Sequence, residues 1–158
     1  MAEPASASYS LSDTWHLNNR VNLRLLEALT EEQLAATVHP RGKDVARQFV
    51  HIHHVRIFWL EAHARALARG LKKIEKGTAA KPLLRQALTD SGKAMGDMLA
   101  EAERTGHLKG AKRGPVAYLG YVLAHEAHHR GQIILHLKHA KQPIDKMFGY
   151  SLWEWGKI

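Results

Sequence analysis

The chain has 158 residues, of which 45% are hydrophobic and 24% are charged, proportions typical of a single globular domain. No segment approaches the ~20 consecutive apolar residues of a membrane span. Cysteine is absent, which excludes disulfides, iron–sulfur clusters and cysteine-ligated zinc. The amino-terminal residues have neither a basic start nor an apolar run, so we expect no secretory signal and a cytoplasmic location.

The formal net charge is +8, and twelve residues are histidines. The basic residues cluster loosely over 65–76 and 104–113, without interleaved aromatic residues and outside any recognisable nucleic-acid motif. We therefore interpret them as solvated surface, or as a rim that favours an anionic substrate. Nucleic acid is not an expected partner.

Apolar residues recur at helical spacing along the chain, and no segment has the period-two alternation of a half-buried strand. The pattern predicts four long helices over about 11–29, 44–68, 82–103 and 115–140. A short helical turn over 31–36 follows Thr30, which forms a capping-box pattern with Gln33. The sequence thus predicts an all-α protein, a four-helix bundle with a short C-terminal tail. We expect one domain over 1–158, with 1–10 as a loose N-terminal segment.

The fourth predicted helix carries the densest group of chemically active side chains. His125 and His129 are four residues apart and project from one helix face, where two imidazoles can bind one metal ion. His51 falls on the apolar face of the second predicted helix and is the candidate third ligand. His54 lies near that face and is a weaker candidate, whereas His53 is expected on the polar side. The alternative is that these histidines are core and surface residues without a metal.

Four further residues are candidates for the surroundings of such a site. Gln132, one turn beyond the second histidine of the pair, is a candidate to orient a ligand or a bound water, or else a helix-packing residue. Tyr121, one turn before the pair, is a candidate for lining the pocket, with core packing as the alternative. Trp153 and Trp155 are candidates to cap the cleft or to seal the end of the bundle.

The string from His125 to His129 also matches the His-Glu-x-x-His pattern of zinc metalloproteases. We interpret the match as coincidental, because Gln132 stands where the extended form has glycine and no strands are predicted to hold a peptide. Glu126 lies about 100° from the histidine face of the helix. It is therefore expected to be exposed to solvent or paired with Arg130, four residues further on.

Three segments resemble the DinB/YfiT-like metalloenzyme family, and the resemblance runs from the first helix to the tail. They are His51-Ile52 with the downstream Phe58-Trp59-Leu60, then His125-x-x-x-His129-Arg130-Gly131-Gln132-Ile133, and finally Leu152-Trp153-x-Trp155. Two features depart from the family pattern. Arg56 stands where many members carry an acidic residue, and His53, His54 and His128 are additional histidines.

The resemblance implies a four-helix bundle of the DinB/YfiT-like type that often forms homodimers. It also implies a divalent metal ion held by His51, His125 and His129. Zinc or nickel is the expected ion, with manganese or iron as alternatives, because neutral imidazole suits several first-row metals. Three protein ligands leave coordination positions open, as in catalytic rather than structural sites.

Characterised members of the family that this chain resembles include thiol-dependent S-transferases and isomerases. We therefore expect a metal-dependent enzyme of thiol-transfer or detoxification type, acting on a small-molecule substrate. A low-molecular-weight thiol would have to come from a cofactor, because the chain has no cysteine. The alternatives are a hydrolase that uses metal-activated water and a non-catalytic stress-response or binding module with a structural metal.

Overall fold

The computed structural model describes residues 9–39, 41–75, 77 and 79–158, and all regular structure in these ranges is helical. The helices are α1 (Leu11–Ala28), α2 (Glu31–Leu34), α3 (Val45–His63), α4 (Arg65–Ala68), α5 (Lys81–Thr105), α6 (Gly114–His139) and α7 (Lys146–Ser151), followed by a 3₁₀ turn (Trp155–Lys157). The predicted all-α class is confirmed for the described chain. Residues 1–8 of the predicted loose N-terminal segment lie outside the described residues.

Side-chain caps explain where several helices begin. Ser10 and Thr30 form capping boxes at the starts of α1 and α2, the second as the sequence predicts. The carboxylate of Asp44 accepts a hydrogen bond from the Arg47 backbone N–H, so Asp44 caps α3 instead of belonging to it. The C-terminal end of α5 is also marked locally. This helix stops at Gly106, whose φ of 68° is the left-handed conformation that glycine readily adopts.

Two helical elements differ from the prediction. The predicted second helix is divided at Ala64, whose φ of −147° and ψ of 56° separate α3 from α4. Apolar residues continue through this break, so their spacing does not reveal it. Helix α7 was not predicted; it begins after Asp145, whose carboxylate accepts a hydrogen bond from the Phe148 backbone N–H.

The long helices pack so that α1 and α3 each contact both α5 and α6. Two buried apolar clusters fill the space between them, one around Leu25, Phe49 and Ile133 and the other around Trp15 and Met95. This packing brings the side of α3 that carries His51 against α6. Among the described helices, none combines the length and the hydropathy that crossing a bilayer requires.

Candidate metal centre

Three histidines from two helices converge where α3 packs against α6. One ring nitrogen from each of His51, His125 and His129 lies within 4.8 Å of the other two. The Nε2 atoms of His125 and His129 are 3.2 Å apart. Two nitrogens bound to one tetrahedral ion at about 2.0–2.1 Å would be about 3.3 Å apart. The spacing of this pair is therefore close to that of two ligands on one ion, and it also allows a hydrogen bond between the two rings.

The amide of Gln48 determines which nitrogen of His129 is available. The Nδ1 atom of His129 lies 2.9 Å from Oε1 of Gln48, and the imidazole is buried. Because an amide oxygen only accepts hydrogen bonds, Nδ1 carries the proton and donates it. The lone pair of Nε2 consequently points into the histidine group. Sequence reasoning missed Gln48, although it lies one helical turn before His51 on α3.

The environment keeps all three imidazoles in the neutral form that binds metals. Burial lowers the pKa of His51 and of His125, and the positive charge of Lys43 lowers both further, although the charge of Glu126 opposes part of the lowering at His125. Burial, followed by the neighbouring histidines His125 and His51, lowers the pKa of His129 to about 4. At neutral pH no proton has to be displaced from these rings before an ion binds.

Aromatic rings form one side of the site. The indole of Trp59 is buried and meets the ring of His125 edge-on, with 5.0 Å between the ring centroids. Tyr121 lies next to that indole, 5.7 Å between centroids, and 58% of its surface is exposed. Tyr121 is therefore at the rim of the site and not in the core.

Gln132 contacts a histidine outside the group. Its amide nitrogen donates to Nε2 of His128 at 2.8 Å, and His128 is exposed on α6. Gln132 also interacts with His129, and this interaction opposes part of the lowering of that histidine's pKa. Gln48, and not Gln132, is thus the amide that fixes the ring of His129.

The two histidines after Ile52 contact the segment after α4 and do not belong to the three-histidine group. His53 is only 1% exposed, and its Nε2 lies 2.9 Å from the Lys72 carbonyl oxygen, so its predicted polar-side position is wrong. His54 accepts a hydrogen bond from the Ile74 backbone N–H at 2.9 Å and lies outside the three-histidine group. The segment after α4 covers this side of α3, a contact that the periodicity of α3 does not reveal.

Glu126 is fully buried, so the expectation that it is exposed or paired with Arg130 is wrong. Its carboxylate accepts from Nε and Nη2 of Arg56 at 2.6 and 2.9 Å. The amides of Asn18 and Asn22 each donate to the same carboxylate at 2.6 Å. Arg130 instead donates to the two asparagine oxygens, at 2.8 and 2.9 Å. The sequence could not reveal this network because its partners come from three helices.

The charges around Glu126 hold it in the ionised form. Burial alone would raise the pKa of this carboxyl, but the charge and hydrogen bonds of Arg56 and the charge of Arg130 lower it overall. Both carboxylate oxygens are occupied by donors, so Glu126 is not placed to activate water as a metalloprotease glutamate does. Its role is to tie α6 to α3, which positions His125 and His129.

Trp153 and Trp155 lie away from the three histidines. Trp153 is 80% exposed, and both tryptophans line a cavity between α1, α6 and the C-terminal segment. Ala127 and Arg130 border that cavity from α6, about half a helical turn from the histidine face. The tryptophans thus lie on the other side of α6 from the candidate metal centre.

The sequence model of the DinB family matches residues 1–145 of the chain. The matched range includes the three histidines and Gln48, and it ends before the two C-terminal tryptophans. Comparison with curated proteins and with solved structures finds no match.

Proposed function

This chain belongs to the DinB family, and from that premise we propose that His51, His125 and His129 hold a divalent metal ion in an enzyme active site. The observation that carries the proposal is the convergence of three ring nitrogens within 4.8 Å. The lowered pKa of each imidazole supports the same assignment. We further propose that the four long helices form the bundle implied by the family resemblance, with α3 held against α6.

The donor set fits a catalytic ion. Three neutral imidazoles leave at least one coordination position open, which distinguishes catalytic from closed structural sites. Imidazole donors favour zinc or nickel, with manganese and iron as alternatives. Gln48 supports the site from outside by orienting His129, as outer hydrogen-bond partners commonly do for metal-binding histidines.

The reaction we propose is transfer of a small thiol to an electrophile, in which a carbon–sulfur bond forms, the thiol loses its proton, and the leaving group of the electrophile departs as an anion. A bound ion would supply Lewis acidity that lowers the pKa of a coordinated thiol. The positive charge of Lys43, which acts on His51 and His125, would attract an anionic thiol to the site. Trp59 and Tyr121 offer an apolar wall against which a substrate can be positioned. The thiol must come from a small molecule because the chain has no cysteine.

The test is a thiol-conjugation assay on protein loaded with zinc or nickel. Glutathione and cysteine serve as thiols, and 1-chloro-2,4-dinitrobenzene serves as the electrophile. We expect a rate above the uncatalysed reaction that is lost on chelation and in His129→Ala. His128→Ala is the matched control, because this exposed neighbour lies outside the histidine group, and it should retain the rate.

Other outcomes identify the alternatives. Hydrolysis of p-nitrophenyl esters without any thiol would replace the transferase with a hydrolase that uses activated water. Metal binding without turnover of either substrate, combined with unfolding on chelation, would indicate a binding module with a structural metal. The homodimer and the cytoplasmic location stay predictions.

A further inference from the structure

A second cavity lies on the side of α6 away from the histidines. Its volume is about 520 Å³, within the range of about 300–1,000 Å³ of small-molecule sites. Side chains of α1, α6 and the C-terminal segment form its walls, and most of them are apolar, among them Val21, Leu25, Ile134 and Leu152. Trp153 and Trp155 border the cavity, and Trp153 exposes 80% of its surface.

Arg130 supplies the only charge among the described residues that line this cavity. Its Nη1 donates to the side-chain oxygens of Asn18 and Asn22, which are neutral groups. Within the described residues, its Nε and Nη2 atoms donate no hydrogen bond. The guanidinium therefore has donors left for a partner in the cavity.

The neighbouring carboxylate does not pair directly with Arg130. Glu126 accepts two hydrogen bonds from Arg56, whereas Arg130 acts on this carboxylate through its charge alone. No acidic residue lines the cavity in the described chain. The polar end of the cavity thus has a positive charge without a counter-charge in direct contact.

We propose that this cavity binds a small carboxylic acid with an apolar body. The carboxylate would accept hydrogen bonds from the free donors of Arg130, whose planar fork suits this group. The aliphatic side chains and the tryptophans would enclose the apolar body. The site is separate from the proposed metal centre and does not depend on that proposal.

Isothermal titration calorimetry with two acids and their neutral amides tests the proposal. Octanoate represents an alkyl body and 1-naphthaleneacetate an aromatic body, and octanamide and 1-naphthaleneacetamide are the uncharged controls. We expect at least one acid to bind roughly tenfold more tightly than its amide, since a charged hydrogen bond is lost in the amide. The acid that binds more tightly shows whether the cavity prefers an alkyl or an aromatic ligand.

Two glycines of α6 provide a matched pair of variants. Gly131 lines the cavity, and a Cβ built there meets no atom within 4 Å, so Gly131→Leu would fill the cavity without a clash at the backbone. A Cβ at Gly120 also meets nothing within 4 Å, and Gly120 is not a lining residue. Binding should fall at least tenfold in Gly131→Leu and persist in Gly120→Leu. Trp153→Ala, at an exposed position, should weaken binding without unfolding the protein.

Three results would overturn the proposal. The first is no binding of either acid, and the second is equal affinity for acid and amide. The third is an acid that binds equally tightly to the wild type and to Gly131→Leu, which would place its binding site elsewhere. If neither acid binds, a wild-type dimer that becomes monomeric in Gly131→Leu during sedimentation would make the cavity an interface between two copies of the chain. None of these measurements requires metal-loaded histidines, so a failure of the metal-site proposal would leave this test unaffected.

Discussion

The hydrogen bond between Gln48 and His129 fixes both the orientation and the tautomer of one proposed metal ligand. An imidazole free to rotate or to exchange tautomers would present its Nε2 lone pair for only part of the time. Gln48 is itself buried, with 4% of its surface exposed, so no water competes easily for this bond. The precision of the site therefore depends on a residue that binds no metal.

We predict that Gln48→Leu weakens metal binding roughly 10- to 100-fold, the usual effect of losing an outer partner of a metal-binding histidine. Competition with a chromophoric chelator measures this affinity. Gln48→Glu keeps an acceptor for the Nδ1–H of His129 and should bind more tightly than the leucine variant. An unchanged affinity in Gln48→Leu would mean that the hydrogen bond does not support the site.

Acid should destabilise the metal-free protein. The pKa of His129 is about 4 in the folded chain and about 6.5 when unfolded, so between these values only the unfolded chain takes up a proton at this position. The free energy of unfolding should fall as the pH decreases from 6.5 to 4, by up to about 1.4 kcal/mol per pH unit from this residue. Urea unfolding at several pH values measures this slope, and His129→Gln should make it shallower. A slope that is the same in both proteins would contradict the assignment.

At the scale of single residues, the sequence predicted that the three histidines come together, but it did not predict which residues surround them. Spacing on one helix is enough to place His125 beside His129, because four residues return a side chain to the same face. Gln48 belongs to another helix and has no spacing relation to His129, so only the packing of α3 on α6 reveals the contact. For the same reason Gln132, on the helix of His129, was the more obvious candidate.

Three helices are joined by one buried ionic network. Glu126 on α6 pairs with Arg56 on α3, and Asn18 and Asn22 connect both to α1. Each charge is fully buried, so each depends on its partner to offset the cost of leaving water. The network connects the three helices by polar contacts within an otherwise apolar interior. Its carboxylate, Glu126, directly follows His125 in the sequence.

We predict that Glu126→Gln destabilises the protein by about 3–5 kcal/mol, because it leaves the guanidinium of Arg56 buried without a counter-charge. Urea unfolding at pH 7 measures the loss. Glu101→Gln is the matched control, since Glu101 forms an exposed pair with Arg104 on α5, and exposed pairs contribute little. Equal stabilities of the two variants would show that the buried pair does not hold the helices together.

The helices were largely predictable, except for the break at Ala64 and the short helix α7. Apolar spacing located all four long helices, and the capping box at Thr30 located α2. The break at Ala64 was missed because alanine and its neighbours favour helix on their own. Helix α7 was missed because six residues are too few to show a helical period.

Across the whole molecule, α6 separates two proposed sites of different chemistry. One face of the helix carries His125 and His129 toward α3, and another borders the apolar cavity beside Trp153. Arg130 follows His129 directly, so a single helix positions both sites. The sequence indicated the first site through its histidines, but the cavity depends on how the C-terminal segment packs against α1, which no local pattern specifies.

Metal content tests directly whether the three histidines hold an ion. Tag-free protein is loaded with zinc or nickel, dialysed, and analysed by mass spectrometry beside His129→Ala and His128→Ala. We expect about one ion per chain in the parent and in His128→Ala, and almost none in His129→Ala, because of these two residues only His129 belongs to the converging group. A parent protein that retains no ion after loading, or equal retention in both variants, would contradict a three-histidine metal centre.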